Sequence, residues 1–389
     1  MTPDVLASAK DLLARLIAFP TVSDRSNLAL IEYLEGYFAS LGVATRRWPD
    51  ASGAKAALLA TIGPAVDGGV VLSGHTDVVP VEGQPWVADP FVTREIDGKI
   101  FGRGSVDMKG FGACVLASVP AFLAAPLQRP IHIVLSYDEE TTCLGSVDVI
   151  RGFGADLPRP GMVVVGEPTM MKVADAHKGV ATFLTRVTGL EAHSANPQIG
   201  ASAIAAAGEI VAEIGRLGRA AEASELCDPR FDPPYATFNV GVIQGGTARN
   251  ILARECLIHW EFRGLPKYPT ARAAEQVQRF IDQIALPRLR RYVSEPTIET
   301  VLEYDVPGLT PQENCPAATL ALRLARANRT IAVSFATEAG HFQRARIPTI
   351  ICGPGSIEQA HKPNEFIAVS QLAACLEFME GLAGELARG

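Results

Sequence analysis

Apolar residues recur at helical spacing in the first part of the chain. They predict one helix over residues 4–19, which Pro20 ends. A second helix is expected after Ser26, a suitable N-cap residue, and Gly42 is expected to close it. The buried positions of this second helix are Leu28, Ile31, Leu34, Phe38 and Leu41.

Short apolar runs then alternate with helical segments. Before residue 166, the pattern predicts strands at 44–48, 55–62, 69–74, 131–137 and 162–165. A helix follows Gly110, and a later helix at 316–326 precedes a strand at 348–352. Alternation of this kind indicates an α/β layer built on a mostly parallel sheet.

The pattern changes from about Lys178. Two strand-like runs, 236–244 and 256–264, lie between a helical segment at 200–217 and another at 271–291. With the strands at 178–189 and 296–304, these elements give the order βαββαβ of a ferredoxin-like unit. We therefore expect an inserted domain over 178–306, with 1–177 and 307–389 forming one catalytic domain.

Composition narrows the class of protein. The chain has 389 residues, of which 48% are hydrophobic and 20% charged, a balance that favours a large core and two domains. A net charge of −7 without a Lys/Arg cluster argues against a nucleic-acid partner. The chain shows neither a signal peptide nor a membrane span, and its seven cysteines lack pairing motifs. A reducing cytoplasm is the expected location.

Polar residues that suit a metal site follow several predicted strands and one late loop. They are His75, Asp77, Asp107, Glu139, Glu140, Glu167 and His361. Ligands in parallel sheets lie beyond the carboxyl ends of the strands, where these side chains meet. Two histidines with several carboxylates suit zinc, cobalt or manganese. Five ligands with one shared carboxylate, for which we choose Asp107, would hold two ions, and one residue of the Glu139–Glu140 pair would remain as a general base.

Each of these residues has an ordinary alternative interpretation. A single His-x-Asp sequence occurs by chance, a Glu-Glu pair is usually solvated, and Gly-Glu-Pro is a common turn. These ordinary interpretations do not easily explain why all of these residues lie at the ends of successive strands.

The chain resembles the M20 family of dinuclear zinc amidohydrolases and peptidases along essentially its whole length. The motifs are Ser-Gly-His75-Thr-Asp77, Gly-Arg-Gly-Ser-Val-Asp107-Met-Lys-Gly, Asp-Glu139-Glu140, Gly-Glu167-Pro, Ala-His193-Ser-Ala and Ala-His361-Lys-Pro. The resemblance implies that the metal ligands are His75, Asp107, Glu140, Glu167 and His361. It also implies that Asp77 orients His75, that Glu139 is the base, and that the Asp107–Met108 peptide bond is cis.

The inserted domain resembles the family's lid, which implies a homodimer. By that resemblance, His193 crosses the dimer interface to stabilise the oxyanion, and Asn250 and Arg263 bind the substrate carboxylate, with Arg249 as a competitor. Arginine suits such a bidentate contact. Ile204, Ile210, Val211 and Ile214 lie at helical spacing. Part of this apolar stripe must pack on the lid's own sheet, and only the remainder is available to pair with a second copy.

Two late segments, Ala336-Thr-Glu-Ala-Gly340 and Cys352-Gly-Pro-Gly-Ser-Ile-Glu-Gln-Ala-His361-Lys-Pro-Asn-Glu365, resemble the acetylornithine deacetylases of this family. The resemblance implies hydrolysis of N2-acetyl-L-ornithine to L-ornithine and acetate, a step of arginine biosynthesis, with two zinc ions per subunit or cobalt as a substitute. Glu338 would then face the substrate's δ-amino group or support its own loop. The alternatives are a succinyl-diaminopimelate desuccinylase, an aminoacylase, or a metal-free scaffold that binds acylated amino acids without turnover.

Overall fold

The computed structural model describes residues 3–224, 226–266, 268 and 270–388. The chain divides into two compact units. The first runs to Ala176 and also contains Pro311–Ala332 and the segment from Thr337 onward, whereas the second comprises His177–Thr310 and Val333–Ala336. The insertion is therefore a unit with its own core, and the short segment Val333–Ala336 joins it.

Helices and strands alternate along the chain. The α-helices are α1 (Pro3–Ile17), α2 (Leu28–Ser40), α3 (Lys109–Ala124), α4 (Val147–Gly152), α5 (Ala203–Glu222), α6 (Thr270–Phe280), α7 (Leu286–Leu289), α8 (Pro316–Leu324), α9 (Ala339–Arg344) and α10 (Val369–Leu386). The strands are β1 (Thr45–Pro49), β2 (Ala56–Ile62), β3 (Val70–His75), β4 (Arg94–Ile96), β5 (Lys99–Phe101), β6 (Ile131–Ser136), β7 (Met162–Pro168), β8 (Ala174–His177), β9 (Gly179–Thr188), β10 (Thr237–Gly245), β11 (Glu255–Gly264), β12 (Thr297–Val306), β13 (Ile331–Val333), β14 (Thr349–Gly353) and β15 (Phe366–Ala368).

The main sheet has the strand order β1-β2-β6-β3-β7-β14-β8-β13. Its centre is parallel, because β6 pairs in parallel with β3, β3 with β7, and β7 with β14. Strands β2 and β8 run in the opposite direction. The predicted mostly parallel α/β sheet is thus confirmed, and it brings the carboxyl ends of β6, β3 and β7 to one edge.

Helix packing fixes the middle of this sheet. Helices α1, α3 and α10 pack on one another, and α3 also contacts β3, β6 and β7. The approach is close enough to require glycine at position 166, since a Cβ there would lie 2.1 Å from the ring of Phe111. Glycine in the Gly-Glu167-Pro motif therefore lets α3 pack directly behind the strand that carries Glu167.

The second unit is a four-stranded antiparallel sheet with the order β10-β11-β9-β12, packed against α5 and α6. The predicted ferredoxin-like arrangement is confirmed. Of the apolar stripe predicted on α5, Ile210 and Ile214 are buried in this unit's own core, as expected for the part that packs on the sheet, whereas Ile204 is exposed. An amphipathic helix covers its sheet with the apolar face, so little of that face remains free.

Other local predictions need correction. The N-cap of α2 is Asn27 rather than Ser26, whose hydroxyl accepts a hydrogen bond from the Leu28 amide. The helix predicted over 271–291 is divided by a π-helical segment, Ile281–Ala285, before α7 begins. Strands β4, β5 and β15 form an additional three-stranded sheet that the periodicity does not reveal. Strands of three residues are too short to show a period.

Two further expectations concern the backbone and the membrane. The Asp107–Met108 peptide bond is cis, as expected. Among the described residues, no helix has both the length and the apolar character needed to cross a bilayer.

Candidate metal centre

Three neighbouring strands bring the first polar residues together. His75 is the last residue of β3 and lies opposite Ser136 in the parallel register with β6. The chain leaves β6 there and places Glu139 and Glu140 just beyond the same edge. Glu167 lies near the carboxyl end of β7, the other neighbour of β3. The sheet itself therefore gathers one histidine and three carboxylates.

Two loops complete the cluster around Asp107. This residue precedes α3, and its carboxylate lies between the two histidines. Its Oδ1 atom is 3.1 Å from His75 Nε2, and its Oδ2 atom is 3.2 Å from His361 Nε2. A carboxylate that offers one oxygen to each side has the geometry of a bridging ligand.

Each side of Asp107 pairs one histidine with a glutamate. His75 Nε2 lies 3.5 Å from Glu167 Oε1, and His361 Nε2 lies 2.9 Å from Glu140 Oε2. Glu139 is also close, with its Oε2 atom 3.9 Å from His75 Nε2. The donor atoms of His75, Glu139 and Glu167 can lie within 4.8 Å of one another, as can those of His75, Asp107 and Glu140.

The electrostatics of the cluster favour a bound cation. Burial, reinforced by the charge of Asp107, raises the pKa of Glu140 to about 7 and that of Glu167 well above its usual range. Burial also raises the pKa of Glu139. Burial opposes ionisation of Asp107 as well, but hydrogen bonds with His361 and His75 outweigh it and lower the pKa. The hydrogen bonds with Asp107 and Glu140 raise the pKa of His361 to about 10.

Unpartnered oxygen atoms provide a test of whether metal ions fit here. Within the described part of the chain, Glu140 Oε1 and Glu167 Oε1 are buried and accept no hydrogen bond. A buried carboxylate oxygen without a donor is costly, and a divalent cation is the partner that would satisfy it. The residues present therefore fit two metal positions, one beside His75 and Glu167 and one beside His361 and Glu140.

Asp77 supports this cluster through both its backbone and its side chain. His75 Nδ1 lies 2.9 Å from the backbone oxygen of Asp77, a contact that fixes the ring. The Asp77 carboxylate accepts hydrogen bonds from the amides of Glu139 and Glu140 and from the Ser23 hydroxyl. Asp77 thus positions the His75 ring and also the loop that carries the paired glutamates.

Cys143 contacts the predicted base, a contact that the sequence analysis did not predict. Its thiol donates to Glu139 Oε1 at 3.3 Å and lies 3.2 Å from the Glu139 backbone oxygen. The residue is a free, buried thiol. The spacing Glu139-x-x-x-Cys143 is the only signal in the sequence, and it is unspecific.

Glu338 lies beneath the strand ends. It is 1% exposed, and its two carboxylate oxygens accept hydrogen bonds from the hydroxyls of Ser73, on β3, and Ser136, on β6. Both oxygens are thereby engaged within the protein. This arrangement matches the support role expected for Glu338 more closely than a contact with substrate.

The remaining predicted residues belong to the second unit and lie at two ends of it. His193 and Ile251 form a β-bridge, and the Ser194 amide donates to the Asn250 oxygen at 3.0 Å. His193 and Asn250 are both exposed there. Arg263 is at the far end of β11, where its guanidinium contacts Glu261 at 3.0 and 3.3 Å.

Comparisons with known proteins agree with this geometry. Residues 71–385 match the model of Peptidase family M20/M25/M40. Over 97% of its length, the chain is 36% identical to an acetylornithine deacetylase of Yersinia pseudotuberculosis, of which it covers 96%. A tripeptidase of Staphylococcus aureus has a similar fold, with a TM-score of 0.77, 19% identity and 99% coverage of both chains. A dinuclear metal-binding peptidase of the M20 family from Bacillus subtilis gives a TM-score of 0.70 at 15% identity, covering 100% of this chain and 99% of that one.

Proposed function

The chain belongs to Peptidase family M20/M25/M40, and from this premise we propose that it hydrolyses N2-acetyl-L-ornithine to L-ornithine and acetate. The observation that carries the proposal is the Asp107 carboxylate, which lies between a His75–Glu167 pair and a His361–Glu140 pair. The choice of substrate rests on the similarity to the Yersinia acetylornithine deacetylase. Such an activity would belong to arginine biosynthesis.

Two divalent ions, zinc or cobalt as a substitute, would be held by His75, Glu167 and Asp107 on one side and by Asp107, Glu140 and His361 on the other. Bound there, they would lower the pKa of a shared water and polarise the amide carbonyl. A set of two imidazoles and three carboxylates suits zinc.

Glu139 is the proton carrier of the proposed reaction. Its Oε2 atom faces the cluster near His75, whereas its Oε1 atom accepts a hydrogen bond from the Cys143 thiol. The carboxylate takes a proton from the attacking water and then delivers it to the nitrogen of the leaving amine. Burial raises the pKa of Glu139, which favours this role because a carboxylate with a higher pKa is a stronger base.

Substrate recognition falls to the second unit in this proposal. Arg263, held by Glu261, offers a guanidinium fork for the α-carboxylate of the substrate. Asn250 lies at the other end of this unit and would offer its amide to a substrate bound by a partner subunit. Glu338 supports the strand ends instead of contacting the δ-amino group, because both of its oxygens already bind serine hydroxyls.

A homodimer explains how these residues could serve one site. Strand β11 alone separates Glu255 from Arg263 by roughly 26 Å at 3.3 Å per residue, and Asn250 and His193 lie beyond Glu255. One amino-acid substrate cannot span that distance. We therefore assign Arg263 to the substrate's own subunit and propose that the partner subunit's His193 stabilises the oxyanion. The edge strand β10 exposes Val242 and Ile243, an apolar edge that suits pairing with a second copy.

The seven cysteines are all free thiols. This supports the cytoplasm as the location of the enzyme, where thiols stay reduced.

A hydrolysis panel tests the proposed substrate. Zinc-loaded and chelator-treated protein would be assayed with N2-acetylornithine, N-acetylcitrulline, N-succinyl-diaminopimelate and N-acetylmethionine. We expect the highest kcat/KM for N2-acetylornithine, loss of activity after chelation, and recovery with zinc or cobalt. A preference for the succinylated substrate or for acetylmethionine would replace the substrate assignment. Binding of all four compounds without turnover would instead indicate a scaffold.

A further inference from the structure

Glu365 has a buried carboxylate that binds backbone amides of the loop that carries Asp107. The residue is 1% exposed. Its Oε1 atom accepts hydrogen bonds from the amides of Val106 and Asp107 at 2.8 and 3.2 Å. Its Oε2 atom accepts a hydrogen bond from the amide of Gly104 at 3.1 Å. One side chain thus fixes three amides of this loop, including that of the bridging residue itself.

Arg103 completes this arrangement from the same loop. It is 1% exposed, and its Nη1 atom donates to Glu365 Oε2 at 2.8 Å. Its Nη2 atom donates to Gln84 Oε1 at 2.6 Å, and Gln84 Nε2 donates in turn to the His361 backbone oxygen at 3.0 Å. The network therefore reaches the His361 backbone from one side, while Glu365, four residues later, holds the other side.

The two histidines depend on this network to different degrees. His75 ends a central strand, and its side chain is fully buried. The His361 side chain is 54% exposed, and its backbone has a φ of +61°, a conformation unusual outside glycine. Its ring contacts Asp107 and Glu140, but neither full burial nor regular secondary structure holds its backbone. The backbone position of His361 therefore relies on the anchors of its loop.

We propose that Arg103 and Glu365 are positioning residues that lock the Asp107 loop to the His361 loop, and that this lock selectively maintains the metal position formed by Asp107, Glu140 and His361. The inference rests on the proposed two-metal function. It assigns to Arg103 and Glu365 no contact with substrate or metal. They act through the backbone of the ligand residues.

Glu365→Gln is the sharpest perturbation. Both oxygens of Glu365 face N–H donors, whereas glutamine offers one acceptor oxygen and one NH2 donor. Either orientation of the amide would set donor against donor, at Val106 and Asp107 or at Gly104 and Arg103. Changes to groups that orient metal ligands typically cost 10- to 100-fold in metal affinity. We expect a loss of about that size at the zinc position formed by Asp107, Glu140 and His361.

The experiment is a zinc titration of metal-free protein by calorimetry, with bound zinc after dialysis measured by elemental analysis. His361→Ala and His75→Ala serve as references for loss of each metal position. Glu35→Gln is the matched control, since Glu35 also binds an arginine, Arg47, through both oxygens but joins α2 to β1 away from the cluster. Thermal unfolding of each metal-free variant reports whether the fold is retained.

The expected result is that Glu365→Gln resembles His361→Ala, with one zinc retained and the second weakened about 10- to 100-fold, while Glu35→Gln binds like the wild type. Arg103→Lys keeps the positive charge but not the planar guanidinium fork, so it should weaken the same zinc position by a smaller factor. If Glu365→Gln does not fold, the result for Arg103→Lys tests the proposal. Two unchanged zinc positions in a folded variant would overturn the lock. So would equal weakening of both positions. A wild-type protein that fails to bind two ions would overturn the proposed function first.

Discussion

The proposed roles of Glu139 as general base and Glu140 as metal ligand lead to the most demanding prediction. Glu140 Oε2 lies 2.9 Å from His361 Nε2, and its other oxygen has no hydrogen-bond donor among the described residues. Glu139 Oε1 instead accepts a hydrogen bond from the Cys143 thiol. Glu139→Gln should preserve that contact, because the amide oxygen can still accept it, and should remove only the basic oxygen.

The expected size of the effect follows from this geometry. With its neighbours undisturbed, Glu139→Gln should lose only general acid–base catalysis, which contributes about 10²–10⁴-fold to the rate. This corresponds to an increase of about 3–5 kcal/mol in the activation free energy. Zinc content should remain at two per chain. Glu140→Gln, in contrast, should lose zinc from the position beside His361.

Steady-state kinetics and elemental analysis on the same preparations measure both effects. For Glu139→Gln we expect a fall in kcat with little change in KM, and full zinc content. The atoms of Glu139 also lie within reach of His75 and Glu167. If Glu139→Gln loses zinc while Glu140→Gln keeps it, Glu139 is a ligand and the two roles are reversed.

Three further predictions concern protons, substrate and assembly. In the metal-free protein, the pKa of His361 is raised to about 10 and that of Glu140 to about 7, so both hold protons below pH 7 that metal must displace. Zinc affinity should therefore fall as the pH is lowered, by at least about tenfold per pH unit below pH 7, and a flat profile in calorimetric titrations would contradict the assignment. Arg263→Lys should lower kcat/KM for acetylornithine by about 10- to 100-fold, mainly through KM, whereas Arg186→Lys on β9 should not. Mixing inactive His193→Ala chains with inactive Glu139→Ala chains should restore up to about one working site per mixed dimer. Mixed dimers that stay inactive would show that His193 does not act across the interface.

Much of the cluster could be predicted from the sequence, because regular strands placed it. Continuous apolar runs identify β3, β6 and β7 as buried strands, and parallel pairing brings His75, Glu139, Glu140 and Glu167 to one edge. Asp107 and His361 lie in loops, so no periodicity locates them. Their residue types and the number of ligands that two ions need suggested their roles, and the family resemblance implied the same roles.

The supporting contacts could not be predicted, because they join residues far apart in the chain. Glu365 binds the Asp107 amide across 258 positions, and Glu338 binds Ser73 across 265. Such contacts depend on the conformation of the loops, which the pattern of apolar and polar residues does not predict. The division of the apolar stripe of α5 into covered and free positions could not be predicted for a related reason. Periodicity shows that Ile210 and Ile214 share a face but does not show that the unit's own sheet covers it.

The measurement that tests the central claim most directly is a crystal structure of the zinc-loaded protein with anomalous diffraction at the zinc edge. The account predicts two anomalous peaks about 3.5–4 Å apart, one on each side of the Asp107 carboxylate. His75 and Glu167 should bind the first ion, and His361 and Glu140 the second. A single peak, or two peaks that Asp107 does not bridge, would contradict it.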